Sequence, residues 1–353
     1  MGEKWDKSEE MERFQHGGDT YGLGDVVDFS ASLNPIGMPI HVVRALKVAA
    51  ANFDAYPDPL CRDLTAALLE REEVPAGRLV VTAGASDAFS RIASTIRPHK
   101  VLVCSPCYSG YEQALHNLWP RVVHHSLVAR EDFDVTDRFM DYIEPDMDLV
   151  FLCTPNNPTG RTISREMLCK ILRMAARWGT FVVVDECYID FTEEHSCVSL
   201  LDRFPNLIVV KAFTKTYAMA GFRLGYCMFG RDDLAKAVRE AGDPWAVSAP
   251  AQVAGLAALE VPGYLDLTRE YVAEQRAYLE DGLRSLGMLV IPSAANFILF
   301  QSPAPLYDGL LERGFVIRRC ANFRGLDEMW YRIAVRAHED NERLLEAMRE
   351  VLS

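Results

Sequence analysis

Residues 149–186 read LVFLCTPNNPTGRTISREMLCKILRMAARWGTFVVVDE, and this stretch decides the fold class of the chain. Apolar runs at 149–154 and 180–186 show little polar alternation, which predicts two strands buried on both faces. The segment between them predicts a helix that begins after Ser164 as its N-cap and ends at Gly179. A buried strand, a helix and a second buried strand are typical of an α/β fold, in which helices cover a mostly parallel sheet.

Apolar runs of the same kind continue on both sides of this unit. They predict strands at 79–84, 100–105, 121–127, 207–213 and 223–230, and a helix over 86–96. After about residue 250 the pattern predicts a long helix at 264–286, strands at 288–291, 296–300, 315–318 and 330–335, a helix near 305–313 and a final helix over 338–352. We therefore expect a large domain at 46–254. A smaller α+β domain at 255–353 should be joined by an N-terminal arm, 1–45.

The composition is that of a globular protein and excludes several function classes. Of the 353 residues, 49% are apolar and 25% charged. The net charge of −13 argues against nucleic-acid binding, which needs a basic surface. No apolar run reaches the length of a membrane span, and residues 1–15 lack the apolar region of a secretory signal. We expect a cytoplasmic enzyme without membrane or nucleic-acid partners.

The cysteine pattern indicates packing and not a metal or disulfide framework. The chain has nine cysteines, an odd number, mostly inside apolar stretches, which is typical of buried thiols in a reducing compartment. Cys104 and Cys107 form a CxxC pair, but a zinc ribbon needs a second pair and none lies at a useful spacing. A thioredoxin-like role stays open as the less favoured interpretation. We expect no metal site.

Familiar ligand motifs are missing, whereas polar groups follow the predicted strands. There is no Rossmann glycine pattern, P-loop or GxSxG nucleophile elbow. Asp185 closes the run FVVVD, and Asn157 follows the run LVFLC. Lys215 and Arg223 come after the strand predicted at 207–213. Ligands of α/β sheets bind at the carboxyl ends of the strands. An amine that forms a Schiff base and a buried carboxylate are the groups that pyridoxal phosphate needs.

Three motifs carry a resemblance to a known family. TPNNPTG (154–160), DECYIDF (185–191) and FTKTYAMAGFRLGY (213–226) resemble the signatures of fold-type I pyridoxal-phosphate enzymes, near the histidinol-phosphate aminotransferases. The flanking segments HGGD, DFSASLNPIGMP, DPWAVSAPAQVAG and IRRCANFRGLDEMWYRIAVR resemble L-threonine-O-3-phosphate decarboxylases, which supply aminopropanol phosphate for cobalamin. The resemblance covers nearly the whole chain. It implies a homodimer that binds pyridoxal 5′-phosphate.

The resemblance also implies roles for the residues that meet the cofactor. Lys215 would form the Schiff base, and Asp185 would face the pyridine nitrogen. Asn157 and Tyr188 would donate hydrogen bonds to O3′, the oxygen attached to the pyridine ring of the cofactor. Tyr108 would stack on that ring. The cofactor phosphate would be bound at a helix N-terminus by Gly84, Ala85 and Ser86, with Arg223 and Thr214. Ala212 stands where the family commonly has a hydroxyl residue, so one phosphate contact is missing or replaced.

Substrate recognition is expected from a second group of residues. Arg336 would bind the substrate α-carboxylate, with Asn34 close to it. Arg318 would bind a substrate phosphate together with His16, although Arg319 is an equal candidate because neighbours in a strand point to opposite faces. The resemblance places Tyr56 across a dimer interface, at the cofactor phosphate of the partner subunit.

The reaction itself stays open between related chemistries. The bond perpendicular to the cofactor ring breaks, so the orientation of the substrate carboxylate separates decarboxylation from transamination, and a sequence does not encode that torsion. Decarboxylation of L-threonine O-3-phosphate is the favoured hypothesis. The alternatives are a histidinol-phosphate or related aminotransferase, a decarboxylase that prefers L-serine O-phosphate, and a non-catalytic pyridoxal-phosphate-binding protein.

Overall fold

The computed structural model describes residues 16–192 and 196–353. Residues 1–15, on which the prediction about a secretory signal rests, lie outside them. In chain order the strands are β1 (Val27–Asp28), β2 (Leu79–Thr82), β3 (Lys100–Ser105), β4 (Arg121–Ser126), β5 (Leu149–Cys153), β6 (Phe181–Asp185), β7 (Leu207–Ala212), β8 (Gly225–Phe229), β9 (Leu289–Val290), β10 (Phe297–Gln301), β11 (Phe315–Val316), β12 (Arg318–Arg319) and β13 (Trp330–Ala334).

The α-helices lie between these strands and after the last of them. They are α1 (Ile40–Ala49), α2 (Arg62–Glu72), α3 (Ala85–Ile96), α4 (Gly110–Leu115), α5 (Arg165–Trp178), α6 (Phe213–Thr216), α7 (Asp232–Glu240), α8 (Ala249–Leu259), α9 (Tyr264–Ser285), α10 (Tyr307–Glu312) and α11 (His338–Leu352). The predicted ends of α5 are confirmed, because Ser164 Oγ accepts from the Met167 N–H and Gly179 ends the helix at φ +73°. In the described part of the chain, no helix combines the length and the apolar character of a membrane span.

A seven-stranded sheet forms the centre of the molecule, in the order β2-β8-β7-β6-β5-β3-β4. Strands β3 to β7 are parallel, and β8 runs antiparallel to both β2 and β7. The predicted mostly parallel sheet is therefore confirmed, and its carboxyl edge brings the ends of β5, β6 and β7 together. Cys153 at the end of β5 lies opposite Asp185 of β6, which lies opposite Val210 of β7.

Both faces of this sheet are buried, which explains the apolar runs of the sequence. On one face Val182 and Val184 join the cluster that contains Ile171 of α5. On the other face Val183 packs with Phe89 of α3. Burying one such valine or phenylalanine contributes about 1.5–3 kcal/mol, so this double-sided core fixes the strand ends that carry polar groups.

The C-terminal part builds a separate antiparallel sheet in the order β12-β13-β10-β9. The predicted strand 315–318 is divided by Ile317 into β11 and β12, which belong to different sheets. Strand β11 pairs in parallel with β1, Val27 lying opposite Phe315. This pairing joins the N-terminal arm to the C-terminal part, and the residues after β1 run towards the carboxyl edge of the central sheet.

Candidate active site

A cavity of about 190 Å³ lies at the carboxyl edge of the central sheet, beside the first turn of α3. The residues predicted for the site that line this cavity are His16, Ala85, Ser86, Tyr108, Asn157, Asp185, Tyr188, Thr214, Lys215, Arg223 and Arg318. Arg332, Ser30 and Cys187 also line it and were not predicted. Gly84 borders it as the residue before Ala85, whereas Asn34, Tyr56 and Arg336 neither line nor border it. The structure therefore brings most predicted residues together and separates three of them.

Lys215 lies in α6, the short helix that directly follows β7. Burial, reinforced by the nearby cations Arg332 and Arg223, lowers the pKa of the Lys215 amine to about 8. An amine with a lowered pKa is more often neutral near physiological pH, and the neutral form is the nucleophile. Lys215 therefore has the reactivity that attack on a carbonyl group needs.

Asp185 is the last residue of β6, and its carboxylate is buried. The Tyr111 hydroxyl donates to Asp185 Oδ2 at 2.7 Å, and the Cys187 N–H donates to Oδ1 at 2.9 Å. Burial raises the pKa of this carboxyl, and the hydrogen bonds oppose that rise. A cation placed against Asp185 would keep it ionised. Tyr111 was missed in the sequence, although it lies only three residues after Tyr108.

Tyr108 forms a wall of the cavity and contacts the N-terminal arm. Its ring centroid lies 5.5 Å from that of His16, and its hydroxyl lies 3.4 Å from Ser86 Oγ. Tyr188 is buried beneath the cavity, with its ring 4.9 Å from Phe297 in an edge-on arrangement. These aromatic groups offer a flat, water-excluding surface for a planar ligand.

The first turn of α3 lies next to Arg223 and has the features of an anion-binding helix N-terminus. Gly84, the N-cap, has φ +91° and provides no side-chain cap, so the first N–H groups of α3 stay available. A Cβ at Gly84 would lie 2.8 Å from Arg223 Nη2, so glycine is what allows the guanidinium to approach. Ala212 lines the cavity and has no hydroxyl, while Thr214 lines it two residues further on. Thr214 is therefore the hydroxyl that this segment presents.

Arg332 of β13, and not Arg336, is the arginine of the C-terminal strand at the cavity. It is buried, donates from Nη2 to the Ser30 carbonyl at 2.9 Å and from Nη1 to Asn157 Oδ1. Its buried Nε has no hydrogen-bond partner among the described residues. Arg332 therefore brings a buried guanidinium charge to the cavity wall, and a guanidinium pairs well with a carboxylate.

The expectation for Arg336 is corrected by its contacts. Arg336 lies beyond the end of β13 and donates to Asp340 Oδ2 at 3.1 Å and to the Asp28 carbonyl at 3.0 Å. Residues 332, 334 and 336 share a face in an extended strand, so alternation alone did not separate the two arginines. Because β13 ends at Ala334, Arg336 is bound to α11 and to the end of β1.

Asn34 also departs from its expected place beside a carboxylate. Its Nδ2 donates to the Thr216 carbonyl at 2.7 Å, and it lies 2.9 Å from both the Tyr264 hydroxyl and Thr268 Oγ1. Its backbone N–H donates to the Lys215 carbonyl at 3.1 Å. These partners occupy the amide, so Asn34 holds the turn that carries Lys215 and has no donor left for a ligand.

The alternative between Arg318 and Arg319 is decided by the short strand β12. Arg318 lines the cavity, donates to Asn322 Oδ1 at 2.8 Å and lies 5.1 Å over the Phe323 ring. Burial, with the cations Arg332 and Arg319 adding to it, lowers the pKa of Arg318 to about 10. Arg319 lies on the opposite face, 4.3 Å over the Tyr307 ring. Arg318 is therefore the arginine of this pair at the cavity.

Tyr56 lies outside the cavity of its own chain. It is 83% exposed, and its ring centroid lies 5.0 Å from that of Trp245, itself 47% exposed. An exposed aromatic pair of this kind is available to another molecule.

The residues around the cavity fit pyridoxal phosphate. Lys215 offers an amine of lowered pKa, and Asp185 a buried carboxylate with no cationic partner among residues 16–192 and 196–353. The first turn of α3, with Arg223 beside it, offers backbone N–H groups to an anion. Tyr108 provides the flat surface that an aromatic ring needs. All of these groups line or border one cavity, and Arg332 lines the same cavity.

Comparison with known proteins shows the family of the chain. The family "Aminotransferase class I and II" matches residues 24–351. The chain is 34% identical over 333 residues to threonine-phosphate decarboxylase of Salmonella typhimurium, covering 93% of this chain and 92% of that protein. It is 33% identical over 337 residues to histidinol-phosphate aminotransferase of Symbiobacterium thermophilum, covering 94% and 92%. The crystal structure of L-threonine-O-3-phosphate decarboxylase from Porphyromonas gingivalis superposes with a TM-score of 0.83 at 29% identity, covering 92% of this chain and 98% of that one.

Proposed function

The chain belongs to the aminotransferases of class I and II, a family of pyridoxal-phosphate enzymes, and on that premise we propose that it decarboxylates L-threonine O-3-phosphate. The products would be (R)-1-amino-2-propanol O-2-phosphate and CO₂, the former for cobalamin biosynthesis. The observation that carries the proposal is that two buried arginines, Arg318 and Arg332, line one cavity with Lys215.

Two arginines in one small cavity suit a ligand with two anionic groups. L-Threonine O-3-phosphate carries a carboxylate on Cα and a phosphate on the next carbon. In our proposal Arg332 binds the carboxylate, and Arg318 binds the phosphate with His16 beside it. Guanidinium groups bind both anions with paired hydrogen bonds. Histidinol phosphate has no carboxylate and would leave Arg332 without its anionic partner.

The residues divide the work of the reaction among them. When bound, pyridoxal phosphate supplies the electron sink that accepts the bonding electrons from Cα. Asp185 would hold its negative charge against the ring nitrogen of the bound cofactor, and Tyr108 would exclude water from one face of the ring. Arg332 orients the carboxylate so that the Cα–carboxylate bond breaks and CO₂ leaves. Lys215 Nζ then delivers the proton that takes the place of the carboxylate on Cα.

Transamination is the competing function, and a specific observation favours it. Histidinol-phosphate aminotransferases match the chain with almost the same identity and coverage as the decarboxylase does. Both reactions begin at the same lysine and differ in which bond at Cα is broken. The orientation that Arg332 imposes on the substrate therefore decides between them.

A panel of substrates tests the proposal against its rivals. The holoenzyme is incubated with L-threonine O-3-phosphate, with L-serine O-phosphate, and with histidinol phosphate plus 2-oxoglutarate, and products are identified by mass spectrometry. We expect aminopropanol phosphate from the first. Serine phosphate lacks one methyl group and should react more slowly by about 10- to 200-fold, the usual discrimination for one methyl group. Glutamate formed only from the third mixture would establish the aminotransferase.

The lowered pKa of Lys215 predicts the pH dependence of cofactor uptake. Only the neutral amine reacts with the cofactor, so the rate should rise with pH to a midpoint near 8 and then level off. Arg332→Gln removes a cation that lowers this pKa, so its midpoint should move to higher pH. The rate is followed by absorbance after adding pyridoxal phosphate to apoenzyme. A midpoint above 10, or a downward shift in Arg332→Gln, would contradict the assignment; Arg336→Gln is the control.

We also propose a cytoplasmic homodimer whose interface includes Tyr56 and Trp245. The support is that both rings are exposed and lie 5.0 Å apart, tilted by 40°, at one surface. A reducing compartment is supported by the nine cysteines, all of which are free. In this dimer Tyr56 completes the partner's cofactor site.

Mixing two inactive variants tests the shared site. Tyr56→Ala and Lys215→Ala should each have low activity, and mixing them should restore activity, because one site of each heterodimer then combines an intact Lys215 with an intact Tyr56. Turnover is measured after exchange of subunits, and each variant alone is the control. A fully active monomer in sedimentation experiments would exclude the shared site.

A further inference from the structure

Ser30 connects the N-terminal arm to the arginine that the proposed function assigns to the substrate carboxylate. Its carbonyl accepts from Arg332 Nη2 at 2.9 Å. Its hydroxyl accepts from the Gly18 N–H at 2.8 Å and donates to Asp28 Oδ1 at 2.6 Å. The Ser30 N–H also donates to Asp28 Oδ1, at 2.7 Å. One buried residue therefore holds both Arg332 and residues 16–18, which we name the strap.

Gly17 allows the strap to lie directly against Ser30. A Cβ at Gly17 would be only 2.2 Å from the Ser30 carbonyl oxygen and 2.7 Å from its carbon. That carbonyl is already fixed by Arg332, so the backbone has no freedom to move away from an added side chain. Glycine at position 17 is thus required for the strap to lie where it does.

The position of the strap places His16 at the mouth of the cavity. The His16 ring lies 5.5 Å from Tyr108, and His16, Gly17 and Ser30 all line the cavity together with Arg318. A phosphate bound by Arg318 would therefore lie between Arg318 and the strap. The strap thus forms part of the cavity wall on the side of Arg318 and Tyr108.

We propose that Ser30 is a positioning residue that holds the strap closed over the distal anion of the substrate and keeps it in register with Arg332. The identity of that anion as a substrate phosphate rests on the proposed function. The closed strap favours ligands that carry an anion at this end of the cavity. Ser30 reaches the ligand only through His16 and Arg332, so it acts on binding and placement and not on the chemical step.

Hydrogen exchange of the strap tests this role without using turnover. The holoenzyme is exchanged in deuterated buffer with and without inorganic phosphate, and peptides that contain Gly18 are followed by mass spectrometry. In the wild-type protein we expect phosphate to slow exchange at Gly18. Ser30→Ala removes the acceptor of the Gly18 N–H, so exchange should be faster and insensitive to phosphate. Ser30→Thr keeps the hydroxyl and should restore the protection.

Gly17→Ala provides a second variant that leaves Ser30 intact. Its added methyl group should push the strap away and give the same fast exchange. Gly221→Ala is the matched control, since a Cβ at Gly221 meets nothing within 4 Å. Both strap variants should raise the KM for L-threonine O-3-phosphate by about 3- to 10-fold, the effect of one lost hydrogen bond, with kcat nearly unchanged.

The result that would overturn the proposal is specific to the strap. If Gly18 exchanges at the same rate in the wild-type protein, Ser30→Ala and Gly17→Ala, Ser30 does not hold the strap. If phosphate fails to slow exchange in the wild-type protein, the strap does not close over an anion. Neither measurement depends on the reaction catalysed, so failure here is distinguishable from failure of the proposed decarboxylation.

Discussion

Lys215→Ala is expected to reduce turnover by at least about 10³-fold, the largest effect of any single substitution, because it removes the covalent anchor and the proton donor together. Positioned acid–base groups alone contribute about 10²- to 10⁴-fold. In the wild-type protein, borohydride treatment should fix the mass of the cofactor on Lys215, as located by mass spectrometry of peptides. Lys236→Ala, which removes an exposed lysine of α7, is the matched control and should retain full activity.

The covalent adduct decides whether this assignment is correct. Lys215→Ala should bind the cofactor without covalent attachment, because the first turn of α3, Arg223 and Asp185 are intact. An adduct that persists in Lys215→Ala, or one that forms on another lysine, would show that the reactive amine is elsewhere.

Arg332→Ala is expected to lower kcat/KM by about 10²- to 10³-fold. A hydrogen bond to a charged group contributes about 1.5–3 kcal/mol, and the variant removes both the carboxylate contact and the hydrogen bond that holds Asn157. Since Arg332 orients the bond that breaks, most of the loss should appear in kcat and less in KM. Steady-state kinetics with L-threonine O-3-phosphate measure this division.

Arg336→Ala is the matched control for Arg332→Ala, because both arginines belong to the segment WYRIAVR. Arg336 binds Asp340 and the Asp28 carbonyl, away from the cavity, so its removal should change kcat/KM by less than about threefold, as surface substitutions usually do. A larger loss in Arg336→Ala than in Arg332→Ala would reverse our correction of the carboxylate site.

The sequence was sufficient to predict the strands, helix ends and site residues that depend on local patterns. The runs at 149–154 and 180–186 are apolar on both faces because helices cover both faces of the sheet, so their strands could be predicted without tertiary information. Ser164 and Gly179 mark the ends of α5 through capping rules that act within a few residues. Asp185 and Lys215 could be predicted as site residues because Asp185 ends a buried strand and Lys215 follows one.

The residues that the sequence misplaced or missed depend on distant partners. Arg332 and Arg336 would point to the same face of one extended strand, so the alternation of side chains cannot tell which of them reaches the cavity. They differ because β13 ends at Ala334, before Arg336. Asn34 finds its partners at Thr216, Tyr264 and Thr268, each more than 180 positions away. No local pattern carries that information.

Ser30 could not be predicted as a site residue for the same reason, since its partners are distant in the sequence. A serine after a short strand has no distinguishing sequence signal, and its role arises only because Gly18 and Arg332 meet it in space. The torsion that selects between carboxylate and proton loss is likewise a property of the assembled cavity.

The most direct test follows the carboxyl carbon of the substrate. L-Threonine O-3-phosphate labelled at that carbon is incubated with the holoenzyme, and released CO₂ and phosphorylated amine are measured together. We predict that labelled CO₂ and aminopropanol phosphate form in equal amounts, with no need for 2-oxoglutarate. Retention of the label in a keto acid, with formation of glutamate only when 2-oxoglutarate is present, would contradict decarboxylation and establish transamination.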